Sequence, residues 1–277
     1  MNRAYCMIRD YPVYRRDAFM AGLKAAGYDT RTGGPMNVRP DDVLCIWNRY
    51  GDMHNIATRV EQQGGIVIVA ENGYVAPGGI SPHVTEPREW YALAIGGHNG
   101  SGTWPVGGPE RWDALGVDLK PWRTEGDHIL VCPNRSFGRP GYIMPIDWPD
   151  KVVNRLRKVT NRPIRVRPHP GNGAHKTPLA DDLKGAWAVC IWSSSAGVQS
   201  LIAGVPVIWC APKWVCAGAG MNHLPINDDA LEYDDADRLK AMRALAWAQF
   251  HHTEIASGFA FTSLLRRTEQ AQIAASA

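Results

Sequence analysis

Between residues 165 and 220 the chain alternates strand-like and helix-like segments, and that alternation narrows the folds open to it. RVRPHPGN (165–172) reads as a strand ending in a basic, proline-flanked turn. CIWSSSAGVQSLIAG (190–204) reads as a second strand that opens through three serines into a helix, and VPVIWC (205–210) reads as a third strand. Strands separated by short helices pack as a parallel sheet with helices on its faces. Open sheets of this kind collect ligands at the carboxyl ends of their strands. The first turn of a helix also offers unpaired N–H groups to an anion. The stretch therefore points to a phosphate-bearing ligand in the C-terminal half.

The N-terminal half repeats the pattern. Residues 3–8, VLCIW (43–47) and GIVIVAEN (65–72) are strand-like; RDAFMAGLKAAGY (16–28) and MHNIATRVEQQGG (53–65) are helix-like. No G-x-G-x-x-G follows the first strand, which argues against a dinucleotide-dependent oxidoreductase. Residues 73–126 are rich in Gly, Pro and Trp and are expected to form a long functional loop. HILVCPN (128–134) opens a second series. It continues with a helix over 147–159 that has Asp147 as its N-cap, a long helix over 234–250 and a final helix over 258–270.

Composition bounds the class. The chain has 277 residues, 45% of them hydrophobic and 21% charged, enough for two modest globular domains. No apolar run reaches 18 residues, so no membrane span is expected. The opening MNRAYCMIRDY is too polar for a secretory leader, and a cytoplasmic location is expected. Six scattered cysteines form no C-x-x-C pair and are expected to be free thiols. Net charge is only +3, but Arg155, Arg157, Lys158, Arg162, Arg165 and Arg167 crowd together. Such a face suits phosphates or is a solvated helix surface. Among eleven tryptophans, Trp90, Trp104, Trp112 and Trp122 lie in polar surroundings where an aromatic ring can stack on a sugar or base.

The pairing of Arg-Pro-His-Pro with the later Ser-Ser-Ser, Gly and Gly-x-Pro-Val elements resembles the C-terminal nucleotide-binding half of GT-B glycosyltransferases. Capsule-polysaccharide transferases of the Kdo type and some bacterial sialyltransferases are the nearest likenesses, and teichoic-acid glycerophosphotransferases are similar. The resemblance covers about a hundred residues. The segment LAWAQFHHTEIASGFAF (245–261) resembles putative phage glycosyltransferases. The resemblance implies two Rossmann-like α/β domains facing a cleft: an acceptor domain (1–126), a donor domain (127–257) and a C-terminal helix (258–277) crossing back to the first. It implies a nucleotide-sugar donor, with His169, Ser193, Ser194 and Ser195 at the nucleotide and its phosphates.

Other candidates come from position. Arg135 and Arg139, in the turn PNRSFGRPG after a strand, are placed to clamp a diphosphate, with Ser136 beside them. Lys213 follows the third strand, and Asn222 and His223 are further candidates. Glu71 and Asp10 end strands of the first half and are ranked ahead of His98 as the base that deprotonates an acceptor hydroxyl. Trp104, Arg155 and Arg157 are the acceptor-side candidates. No cofactor or metal is expected. An Asp-x-Asp motif of the type metal-dependent sugar transferases use is not recognised, the histidines lack chelating spacings, and His251 and His252 would diverge on a helix. The expected acceptor is a hydroxymethylated pyrimidine in phage DNA. The alternatives are an envelope saccharide, a glycerophosphotransferase reaction, and a binding module without catalysis.

Overall fold

The structure is a computed structural model that describes residues 2–82, 88–172, 177–224 and 231–266. The chain forms two compact units. One comprises Met1–Ala76, Ile80–Gly108 and Ala246–Ala277; the other comprises Pro77–Gly79 and Pro109–Leu245. These divisions fall at other points than the borders expected at 126 and 257.

The first unit holds a six-stranded sheet. Its strands are β1 (Arg3–Cys6), β2 (Asp29–Thr32), β3 (Val43–Trp47), β4 (Ile66–Asn72), β5 (Trp90–Ile95) and β10 (Gln249–His251), in the order β10-β5-β4-β3-β1-β2. The pairs among β1 to β4 are parallel, while β5 runs antiparallel to both β4 and β10. The apolar runs arise because both sheet faces are covered. Val43 and Cys45 pack with Ala4, Cys6, Ile68 and Ala70 on one face. Leu44 and Ile46 pack with Tyr5, Val67 and Val69 on the other. Helix α1 (Arg16–Ala25) supplies Phe19 and Leu23 to the first face, and α2 (Gly51–Gln62) supplies Ala57 and Val60 to the second. Helix α8 (His252–Ala256) and the helical run 259–266 add Ile255, Phe261 and Leu264 to the first core.

The second unit holds a four-stranded parallel sheet. It consists of β6 (His128–Cys132), β7 (Ile164–Val166), β8 (Ala186–Ile191) and β9 (Val207–Trp209), in the order β7-β6-β8-β9. Its helices are α3 (Glu110–Asp113), α4 (Trp148–Leu156), α5 (Leu179–Asp182), α6 (Ala196–Ile202) and α7 (Asp235–Ala246). In α4, Trp148, Val152 and Leu156 recur every four residues and enter the core beside Ile129, Val131 and Cys190. The chain leaves β6 for β7 on one side of the sheet and then crosses to β8 on the other. The β6/β8 boundary is therefore the topological switch point, where such sheets bind ligands.

Several sequence expectations differ from this architecture. The region 73–126 is not all loop, because WYALAI (Trp90–Ile95) forms β5. The helix expected over 234–250 stops at Ala246, and Gln249–His251 is a strand. The Gln249 side chain explains the change. It accepts from the N–H groups of Tyr74 (2.8 Å) and Val75 (3.0 Å) and donates to the Val75 carbonyl (2.6 Å). Asp147 occupies the cap position of α4, but its carboxylate pairs with Lys151 at 2.6 Å instead of capping. All six cysteines are free thiols. Among the described residues no helix is long and apolar enough to cross a membrane.

Candidate functional site

Three strands of the second sheet deliver side chains to its carboxyl edge. After β6 come Asn134, Arg135 and Ser136; after β7 come Arg167 and His169; after β8 come Ser193 to Ser195. Asn134 Oδ1 accepts from the Ser193 N–H at 3.1 Å, so the loops after β6 and β8 are joined at the switch point. Gly171 shows that Arg135 and His169 converge. A Cβ there would sit 3.1 Å from His169 Nδ1 and 3.3 Å from Arg135 Cδ. The Gly171 N–H donates to His169 Nδ1 at 2.9 Å, which leaves Nε2 as the ring atom available to a ligand.

Electrostatics agree with this convergence. Burial, with Arg135 and Arg167 beside it, pushes the His169 imidazole below its usual 6.5. The ring is therefore a neutral group next to two guanidinium ions. Arg167 itself is buried, paired with Asp182, and donates to the Thr177 carbonyl at 2.9 Å. Its role is to hold the turn that carries His169. Arg135 is exposed, with its guanidinium 5.7 Å from the Phe137 ring centroid. Arg139 is half-buried over Tyr142 at 5.6 Å. Ser136 is half-buried in the same turn, and Lys213 is exposed in the loop after β9.

The serines divide their duties at the start of α6. Ser195 holds the cap position of α6 without a side-chain bond, and Ser194 Oγ accepts from the Ala196 N–H at 3.2 Å. Ser193 is buried against Asn134. Trp214 lies in the core, where a Cβ on Gly197 would meet its ring at 2.6 Å. A cavity of about 530 Å³ in the same unit is lined by Asn222, His223, Tyr233, Asp234 and Asp237, among others, and by none of the donor candidates ahead of these. Its carboxylates suit a phosphate poorly.

The base candidates belong to the first unit. Glu71, half-buried at the end of β4, accepts on Oε1 from Tyr74 Oη (2.5 Å) and from the Asn99 N–H (3.0 Å). Arg49 fixes the loop that brings Asn99 there. It is buried, forks onto both Glu61 oxygens at 2.6 Å and donates to the Gly96 carbonyl. Arg49 carries no motif, and its fully buried charge was not visible in the sequence. His98 is half-buried, with its N–H on Ser101 Oγ at 3.1 Å. Asp10 is exposed and ion-paired with Arg16.

The acceptor-side candidates are dispersed. Trp104 packs against the core of the first unit. Arg155 in α4 and Arg157 just after it are exposed. The other tryptophans in polar surroundings also pack: Trp112 is buried, Trp90 meets His251 edge-on at 5.4 Å, and Trp122 lies 4.1 Å from the Arg238 guanidinium. An Asp-x-Asp spacing does occur, as Asp235–Ala236–Asp237 in the first turn of α7. There Asp235 pairs with Arg238 at 2.6 Å.

Two solved structures share this fold. The KpsC beta Kdo 2,7 transferase of Thermosulfurimonas dismutans aligns with a TM-score of 0.56 at 14% identity, over 95% of this chain and 99% of that one. The KpsC beta Kdo 2,4 transferase of the same organism aligns with a TM-score of 0.56 at 13% identity, over 91% and 92%. No family model matches, and no curated protein matches. At these identities the likeness is one of fold. The Rossmann-like α/β fold expected from the Arg-Pro-His-Pro and serine elements agrees with it. The comparisons add nothing to the phage or sialyltransferase parts of the resemblance.

Proposed function

We propose that this chain is a glycosyltransferase that binds a nucleotide-sugar donor at the carboxyl edge of the second unit's sheet. The observation that carries the reading is the meeting of Arg135 and His169 around Gly171, next to the Asn134–Ser193 link at the switch point. The fold likeness to two Kdo transferases supports the reaction class. An acceptor hydroxyl attacks the anomeric carbon of the donor sugar. The bond from that carbon to the phosphate oxygen breaks, and the electron pair leaves with the nucleoside phosphate. Arg135, Arg139 and His169 stabilise the charge on that phosphate, so we assign no metal to the step. Glu71 takes the acceptor's proton. We rank it above Asp10, which is committed to Arg16.

The test is a panel of nucleotide sugars, scored by saturable binding and by slow hydrolysis of the donor without acceptor. Absence of binding across UDP-, CMP-, CDP- and GDP-sugars would sink the proposal. For the acceptor, the likeness to two Kdo transferases favours a saccharide hydroxyl. The exposed Arg155 and Arg157 favour a second reading, a modified base in DNA. A DNA acceptor gives an affinity that falls steeply with salt, and a saccharide acceptor does not.

A further inference from the structure

Glu89, His251 and His252, all in the first unit, form a cluster that the donor chemistry leaves unused. One ligand-type atom from each lies within 4.8 Å of the other two. The cluster exists because the two histidines sit on different elements. Two consecutive residues of one helix would point about 100° apart. Here His251 closes β10 with extended backbone (φ −70°, ψ 151°) while His252 opens α8, and their ring centroids lie 4.2 Å apart. The sheet brings in Glu89: His251 pairs with Trp90, and the His252 N–H donates to the Glu89 carbonyl at 2.8 Å. The Glu89 carboxylate lies 3.9 Å from His251 Nε2. His252 keeps a buried Nδ1 with no hydrogen-bond partner among the described residues.

We propose that these three side chains bind a divalent transition metal of the zinc class, clipping the strand that returns from the end of the second unit onto β5. Two imidazoles and one carboxylate are the donors that Zn²⁺ and its neighbours prefer, whereas Mg²⁺ and Ca²⁺ take oxygen. Bonds of about 2.0–2.2 Å in a tetrahedron set the ligand atoms roughly 3.4 Å apart. Glu89, whose side chain is 52% exposed, closes the gap to His251 by a small swing. A metal on His251 Nε2 puts the ring proton on Nδ1, which lies 2.8 Å from Thr253 Oγ1 and so orients the ring by donating to it. The weak 3.4 Å bond from the Thr253 N–H to that nitrogen is given up in exchange. Water fills the fourth position.

The test uses the full chain, stripped with chelator and free of any affinity tag. Co²⁺ is titrated in while its visible d–d absorption is followed, and Zn²⁺ then displaces it. One equivalent should bind with tetrahedral-type bands, and one equivalent of Zn²⁺ should raise the melting temperature by at least about 3 °C. Glu89→Gln, at an exposed position, and His252→Gln should each weaken Co²⁺ binding by at least about tenfold, with the circular dichroism of the apo protein unchanged. Absent d–d bands, or an unchanged Co²⁺ affinity in either variant, would overturn the proposal.

Discussion

His169 is a neutral ring facing two guanidinium groups, and this sets a sign that binding can report. Burial, then Arg135 and Arg167, hold its pKa below 6.5 in the free protein. A bound phosphate adds negative charge beside Nε2 and raises that pKa, the proton entering on Nδ1 in place of the Gly171 bond. Binding is then accompanied by proton uptake, so donor affinity should increase as the pH is lowered from 7.5 towards 5.5. A nucleotide sugar is the right probe, because its esterified phosphates keep a fixed charge over that range. His169→Gln should flatten the profile; an equally steep profile in that variant would remove His169 from the site. Arg135→Ala should weaken donor binding by about 1.5–3 kcal/mol, as expected for a charge-assisted contact, read by calorimetry. Glu71→Gln should leave donor affinity intact and lower turnover by about 10²–10⁴. The turn that carries His169 was legible in the sequence because prolines on both sides announce a rigid turn at a strand end. Asn134 was not singled out, although it stands in the same turn as Arg135, because a single amide gives no signal until its partner, the Ser193 N–H, is known. Trp104 misled because local polarity says nothing about which distant residues cover a ring.

At the scale of elements, legibility followed length and two-sided burial. β3, β4, β6 and β8 are apolar runs because helices or loops cover both faces, and such runs stand out. β10 has three residues, too few to show a period of two, and it follows directly on the helical spacing of α7. Its identity is set by what Gln249 bonds, a long-range fact. The contact of α1 with α8 is of the same kind. Gly22 lies so close to α8 that a Cβ would stand 1.8 Å from the Ile255 carbonyl oxygen. Gly22→Ala should therefore destabilise the protein by about 3 kcal/mol or more, measured by chemical denaturation, because neither backbone has room to yield. A loss below about 0.5 kcal/mol would mean the two helices are not packed this closely.

For the whole molecule, the second unit is an almost continuous segment inserted within a discontinuous first one. A fragment spanning 109–245 should fold alone and keep donor affinity within about tenfold of the full chain, since Arg135, His169 and the serines all lie in it. Heteronuclear NMR and a binding titration check this; an unfolded fragment would show that the units depend on each other. Gln249→Leu should strip three bonds from the buried 74–75 backbone and cost about 3 kcal/mol by the same denaturation assay. The order of the chain also bears on synthesis. When β5 leaves the ribosome its outer edge has no partner, and β10 lies more than a hundred residues downstream. The inserted unit can finish folding while the first is still waiting with an open sheet edge. An unpaired edge is a template for pairing with other chains. The nascent protein therefore passes through a window of vulnerability that closes only when Gln249–His251 docks, and slower elongation after residue 108 would widen it.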